Sequence, residues 1–380
     1  MKKKLSISII CTFLAVVVFF TSFSVFGKKS DFSVDENRAL MTMPDISLDT
    51  ILDGSFQKDY EEYLSDQFEW RSFFVTVKTD IMRALGRKDL NGVYFGKDGY
   101  LIEKYLPADF SSDDISYNED MLSDFLLYLN DKGINTVCAF VPSKASVLDT
   151  VLPKNAVPYD TEYVADETLE LAQGVKSADL YGALRAHNDE YIYYKTDHHW
   201  TNLGAYYGYQ ALAEPLVYTP VTLDGIAKKD VSTDFFGSTF DKVQVKAQPD
   251  TITVYDTGVK VNVNYNGEAD NANTLYNEEM LGEKSKYDYF LGGNYARVDI
   301  TTDCGSGKTL LMFKDSYANS MIPFLCCNYS KIIMVDLRYF SDDVYALIDK
   351  ETGIDDALVL YNTEKFMKDQ NQNALEMPEK

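Results

Sequence analysis

Read for the spacing of its apolar positions, the chain divides into an N-terminal apolar run, a helical stretch, and a long alternation of helices and strands. Lys2, Lys3 and Lys4 precede 22 uncharged residues from Leu5 to Phe26. A helix needs roughly 20 apolar residues to cross a bilayer, and the flanking lysines favour keeping that end in the cytoplasm. Val25-Phe26-Gly27 is a poor match to a cleavage site. Residues 1–27 are therefore expected to be a signal anchor, with a cleaved signal peptide as the alternative, and the rest of the chain lies outside the cytoplasm in either case. Residues 28–90 read as a linker followed by a helical lead-in. Phe56, Tyr60, Tyr63, Leu64, Phe68, Phe73, Phe74, Val77, Ile81 and Leu85 recur at helical spacing, and Gly86 supplies a stop.

From residue 91 to 380 the pattern is that of a single α/β domain. Asn91-Gly92 and Asp98-Gly99 frame a short strand and two turns. Met121, Leu122, Phe125, Leu126 and Leu129 form the stripe of a helix over 117–129, and 134–141 reads as a buried parallel strand. A short strand over 175–180, a helix to about 187 and a helix over 202–216 follow. Strands are expected at 309–313, 331–336 and 357–361, separated by helices at 317–327 and 342–350. Between about 220 and 303 the runs alternate apolar and polar, so this region is expected to be a β-rich insertion over the core.

Composition narrows the function. With 46% hydrophobic and 14% aromatic residues the chain has material for a real core. A formal charge of −23 argues against nucleic acid, which needs clustered Lys and Arg. The 28 tyrosines are either sugar-cleft residues, with an apolar face and polar tip, or compositional drift. Of five cysteines, Cys304, Cys326 and Cys327 leave room for one disulfide but no framework or zinc spacing.

Two segments carry chemistry. In Lys195-Thr196-Asp197-His198-His199-Trp200, an extended backbone would put Asp197 and His199 on one face and His198 on the other. Asp197 would then orient His199 as a base, with His198 the alternative base. A helix beginning at Asp197 would undo this, and the segment would be a capped helix start with solvated histidines. His187, the remaining histidine, reads as a solvated helix-end residue. In Leu310-Leu311-Met312-Phe313-Lys314-Asp315-Ser316, an apolar strand turns into a helix at Ser316. A serine there projects from the carboxyl end of a parallel strand, and the helix N-terminus favours a developing oxyanion. Helix capping by Asp315 or Ser316 is the plainer account.

Asp197-His198-His199-Trp200 is the motif of the DHHW proteins, and the chain resembles the alginate O-acetyltransferase branch of the SGNH hydrolase-like superfamily. Asn37-Arg38, Asp66-Gln67-Phe68, the stretch from Gly92 to Leu101, Val141-Pro142-Ser143-Lys144, Asp315-Ser316-Tyr317 and Asp336-Leu337-Arg338-Tyr339 extend the likeness. It implies a flavodoxin-like three-layer α/β/α domain with Ser316 as nucleophile, His199 as base and Asp197 as its partner. It also implies acetyl transfer to exported polysaccharide, fed by a membrane-bound O-acyltransferase. The usual Gly-Asp-Ser is Lys314-Asp315-Ser316 here. Asn294, Arg338 and Lys144 are candidate oxyanion or substrate contacts.

The expectation is an extracytoplasmic serine acyltransferase or esterase with no cofactor. A catalytically idle carbohydrate-binding scaffold is the alternative. A metal enzyme built on Asp197, His198 and His199 is disfavoured, because adjacent histidines rarely face one ion and no fourth ligand is in view.

Overall fold

The computed structural model describes residues 2–26, 29–33, 38–68, 70–268 and 271–376. The chain folds into two compact units, residues 1–90 with 240–246, and residues 91–239 with 247–380.

In the first unit the apolar N-terminal run is one helix, Lys2–Phe26. The side chains at both its ends lie outside the described residues, and among those described no helix is long and apolar enough to cross a membrane. The expected membrane helix is thus not supported. The helical lead-in is two helices, Ser55–Asp66 and Arg71–Ala84. At the break, Gln67 bonds both the N–H and the carbonyl of Ser30, and Asp66 accepts from the Met41 N–H. Part of the expected linker is therefore hydrogen-bonded to the lead-in, although Asn37 of the family-like segment lies outside the described residues. Thr79 in the second helix donates to the Val243 carbonyl at 2.8 Å, which ties down the piece from 240 to 246.

The second unit is built on an eight-stranded sheet. In spatial order its strands are Asn271–Ala272, Val261–Tyr265, Arg297–Thr302, Lys331–Val335, Thr309–Lys314, Asp356–Asn362, Asn135–Val141 and Lys176–Ser177. The last five run parallel, and Arg297–Thr302 joins them antiparallel. Successive side chains of a strand point to opposite faces, and here each face has its own core. Leu310 and Met312 pack with Val137, Leu358 and Trp200 on one side. Leu311 and Phe313 pack with Phe125, Val359 and Ile348 on the other. Helices cover both faces, which is why these strands read as continuous apolar runs.

Two expectations need correction, and several of the tyrosines can be placed. The β-rich insertion is split rather than laid over the core. Ala227–Phe235 and Asp250–Asp256 form their own antiparallel pair, whereas Val261–Tyr265 and Arg297–Thr302 extend the main sheet and cover what would be an open edge at Lys331–Val335. The helix expected at 317–327 is a 3₁₀ turn, Ser316–Ser320, and a separate helix, Ile322–Leu325. Pro323 has no N–H to give and fits only a first helical turn, so it restarts the helix. Of the tyrosines, Tyr193, Tyr194, Tyr209, Tyr317 and Tyr329 are fully buried in the core.

The topology positions the serine. The strand Thr309–Lys314 lies between Lys331–Val335 and Asp356–Asn362, both later in the chain. The chain leaves to one side and crosses back to the other, and Ser316 emerges at the carboxyl end of the strand, where open α/β sheets place their ligands.

Phe125 on the helix Ser112–Asp131 meets Phe313 edge-on at 4.9 Å between ring centres. Phe125→Ala should lower unfolding free energy by about 3–5 kcal/mol, read from urea titration.

Candidate active site

Residues 194–199 form neither strand nor helix but a bend closed by a bridge between Tyr193 and Trp200. The extended segment expected here is therefore absent, and the pairing of Asp197 with His199 has another origin. One carboxylate oxygen of Asp197 accepts the backbone N–H of His199 at 2.9 Å, a turn that Asp makes readily with the residue two ahead. The same Oδ1 takes His199 Nδ1 at 2.6 Å.

Such a loop has few ladder bonds, so buried charges hold it. Lys144 follows the strand Asn135–Val141, and its Nζ donates to the carbonyls of Leu101, Tyr194 and Asp197 at 2.7, 2.6 and 2.6 Å. Asp250 accepts the N–H groups of Lys195 and Thr196, both at 2.7 Å, and the Tyr191 hydroxyl. Gly237 passes so near that an added methyl would stand 2.2 Å from the Asp197 Cβ. That approach lets Ser238 donate to Asp197 Oδ2 from its N–H at 2.9 Å and its hydroxyl at 3.1 Å.

The strand Thr309–Lys314 delivers the serine. Asp315 caps the turn, with Oδ1 accepting from Tyr317 N and Oδ2 from Asn362 N, both at 2.9 Å. Ser316 Oγ then lies 2.7 Å from His199 Nε2. The two segments are locked beyond this contact. Trp200 Nε1 donates to the Tyr317 carbonyl at 2.8 Å, Asn202 to Ser320 O at 2.6 Å, and the Tyr317 hydroxyl to His198 O at 2.7 Å. Tyr287 lies flat on the His199 ring at 3.8 Å, and its hydroxyl donates to the Ser316 carbonyl at 3.0 Å.

The electrostatics suit a neutral base beside an ionised acid. Burial would raise the Asp197 carboxyl, but the adjacent imidazoles and the His199 hydrogen bonds hold it well below the usual carboxylate range. Burial lowers His199 beneath an ordinary histidine, with Asp197 pulling partly the other way. A proton-accepting imidazole at neutral pH is the result.

Residues 167–335 match the DHHW protein family model. Over that segment the chain is similar to the DHHW proteins. A DHHW family protein from Eubacterium siraeum superposes with a TM-score of 0.62 at 24% identity, covering 76% of this chain and 95% of that one. PatB1 of Bacillus cereus gives 0.61 at 20% identity over 74% and 98%. PatB1 with a sulfonyl adduct gives 0.60 at 20% identity over 72% and 96%. These likenesses establish a shared mixed α/β fold. No curated protein matches the chain significantly.

Within the DHHW motif the two histidines have different surroundings. His198 Nδ1 bonds Ser238 Oγ at 2.6 Å, and its Nε2 meets Lys365 Nζ at 3.0 Å. Asp197, His198 and His199 present donor atoms within 4.8 Å of one another. They do not fit a metal, since the Asp197 oxygens and the His198 nitrogens are already engaged and the Lys365 ammonium adjoins His198. Lys144, expected as a substrate contact, instead has its donors committed to loop carbonyls. Arg338 is held by Asp336 through Nε at 2.8 Å and a second nitrogen at 2.5 Å. Asn294 Oδ1 accepts from the buried Lys314 at 3.0 Å and from Asn319 at 3.3 Å. Its amide nitrogen has no partner among the described residues. Lys314, standing where a glycine was expected, thus orders the floor under the serine by bonding Asn294, Asn319 and Asp336.

Sequence reasoning missed Asp250, Tyr287, Ser238 and Lys365. Only Lys365 carried a usable signal, because it follows the strand Asp356–Asn362 at the carboxyl end of the sheet. His187 lies just past the helix Leu180–Arg185, partly exposed, where it stacks on Tyr207 at 3.5 Å and bonds Glu190 at 2.7 Å.

In an NMR titration His199 should have its midpoint below the ordinary value of about 6.5. Asp197→Asn should move it lower still, because the carboxylate is what draws it upward.

Proposed function

We propose that this chain is an acyltransferase or esterase that carries an acyl group, acetyl in the first instance, on Ser316. The hydrogen-bonded line from Ser316 Oγ through His199 to Asp197, at 2.7 and 2.6 Å, carries the reading. His199 Nε2 takes the serine proton as Oγ bonds to the acyl carbon, and the carbonyl π electrons move onto oxygen. Collapse expels the donor's alcohol, which receives the proton from His199. A second hydroxyl, from a sugar or water, then repeats the sequence and frees Ser316. Asp197 keeps the imidazole in the required tautomer and stabilises its charged form.

The substrate we propose is an exported or cell-surface polysaccharide, with a membrane-bound O-acyltransferase as the source of acyl groups. The likeness to DHHW proteins, the charge of −23 and the lysine-flanked apolar N-terminus support action outside the cytoplasm on a partner that is not a nucleic acid.

Ser316→Ala should reduce turnover of 4-nitrophenyl acetate by at least about 10³-fold, while as a cap alone the hydroxyl is worth only about 0.5–2 kcal/mol of stability. Phenylmethylsulfonyl fluoride should label Ser316 in the wild type. Undiminished turnover in Ser316→Ala would turn the reading to an idle carbohydrate-binding scaffold. Since catalysis needs neutral His199, kcat/KM should rise with pH along an acid limb centred below about 6.5, the side to which burial moves this imidazole.

Protease added to intact cells should digest the domain from 91 to 380; complete protection of a chain found in the cytosol would end the proposed location.

A further inference from the structure

Ser316 Oγ has a second neighbour besides His199. Lys365 Nζ lies 3.4 Å from it and 3.0 Å from His198 Nε2. Followed onward, the contacts close a ring. His198 Nδ1 bonds Ser238 Oγ at 2.6 Å, Ser238 Oγ donates to Asp197 Oδ2 at 3.1 Å, Asp197 Oδ1 takes His199 Nδ1 at 2.6 Å, and His199 Nε2 meets Ser316 Oγ at 2.7 Å.

With the lysine charged and Asp197 ionised, proton positions around this ring are determined. An ammonium only donates, so His198 Nε2 must carry a lone pair and His198 Nδ1 the proton. That proton goes to Ser238 Oγ, whose own hydrogen goes to Asp197. Asp197 likewise holds the proton on His199 Nδ1, leaving Nε2 to accept from Ser316. The serine oxygen therefore donates to His199 and accepts from Lys365. The ring requires a neutral His198, and burial, with His199 and Lys365 adding to it, holds that imidazole well below an ordinary histidine.

We propose that Lys365 is a catalytic residue whose ammonium stabilises the negative charge formed at Ser316 Oγ and on the carbonyl oxygen of the acyl group, and that His198 is the residue that positions it. The proposal rests on the acyl-enzyme reading of Ser316. It also answers a need the fold creates. The long helix expected behind the serine is a five-residue 3₁₀ turn, so a helix dipole contributes little there. Lys365 is delivered by the turn after the neighbouring parallel strand. Asn362 caps that turn by accepting from Lys365 N at 3.1 Å, while its own N–H bonds Asp315 beside the serine. The ammonium is half-buried and packs over the Tyr317 ring at 5.6 Å, so water competes with it only in part. Lys365 lies beyond the segment 167–335 that matches the DHHW model.

The test uses the full chain with 4-nitrophenyl acetate. Lys365→Ala should cut kcat/KM by about 10²–10³-fold, the usual loss for one oxyanion donor, with melting close to wild type. Lys365→Arg should recover part of it. Propylammonium chloride should raise the turnover of Lys365→Ala several-fold, and equimolar potassium chloride should not. His198→Ala should also slow the reaction, and the double variant should be no slower than Lys365→Ala alone, because the two act as one unit. If Lys365→Ala stays within about threefold of wild type while Ser316→Ala is dead, the role of Lys365 is overturned and the acyl-enzyme reading survives. A loss that neither arginine nor propylammonium repairs overturns the charge role too. An active Ser316→Ala would instead overturn the underlying reading.

Discussion

The site depends on holding an irregular loop still inside a protein. Residues 194–199 have few ladder partners, and buried carbonyls left unpaired would be costly. The Lys144 ammonium meets two of these needs at once, at Tyr194 and Asp197, and ties the loop to the Leu101 carbonyl as well. Burial lowers this ammonium to about 8 against the upward pull of Asp250 and Asp197. Even so it remains mostly charged near neutrality, and charge-assisted bonds are the strong ones. Asp250 does the complementary work on the N–H groups of Lys195 and Thr196. With both in place, Asp197 can spend its two oxygens on His199 and Ser238 rather than on keeping the backbone in shape.

The serine is held by different means. Its strand is central and buried on both faces, so the strand end is a rigid platform. Asp315 links the turn to the next strand through Asn362, and Trp200 and Asn202 link the same turn to the histidine loop. The two chemical segments are thus joined by backbone carbonyl contacts that do not pass through the reacting atoms. In the proposed reaction, positioning and proton transfer fall to separate groups.

The departures from sequence expectation have two causes. The insertion reflects packing partners distant in the chain, whereas the broken helix after Ser316 reflects a local stop at Pro323. Residues 261–302 alternate like any surface hairpin, yet the exposed edge of Lys331–Val335 recruits them into the main sheet. Tyr287 sits in a short 3₁₀ turn with no local pattern to mark it, and only the fold lays it on His199. Pro323 was a local signal that could have been heeded, since it bars a continuous helix.

What the amino-acid sequence determined by itself was whatever depends on near neighbours. Continuous apolar runs marked the central strands. Asp197 reached His199 because their separation of two residues suits an Asp turn, though the expected backbone was extended. Ser316 was legible because a strand ended just before it. Tertiary structure alone decided that His199 and Ser316 meet, that Lys144 serves the loop rather than a substrate, and that His198 faces Lys365. Those contacts join segments tens to more than a hundred residues apart, and spacing in the chain carries no information about distance once a sheet has folded between them.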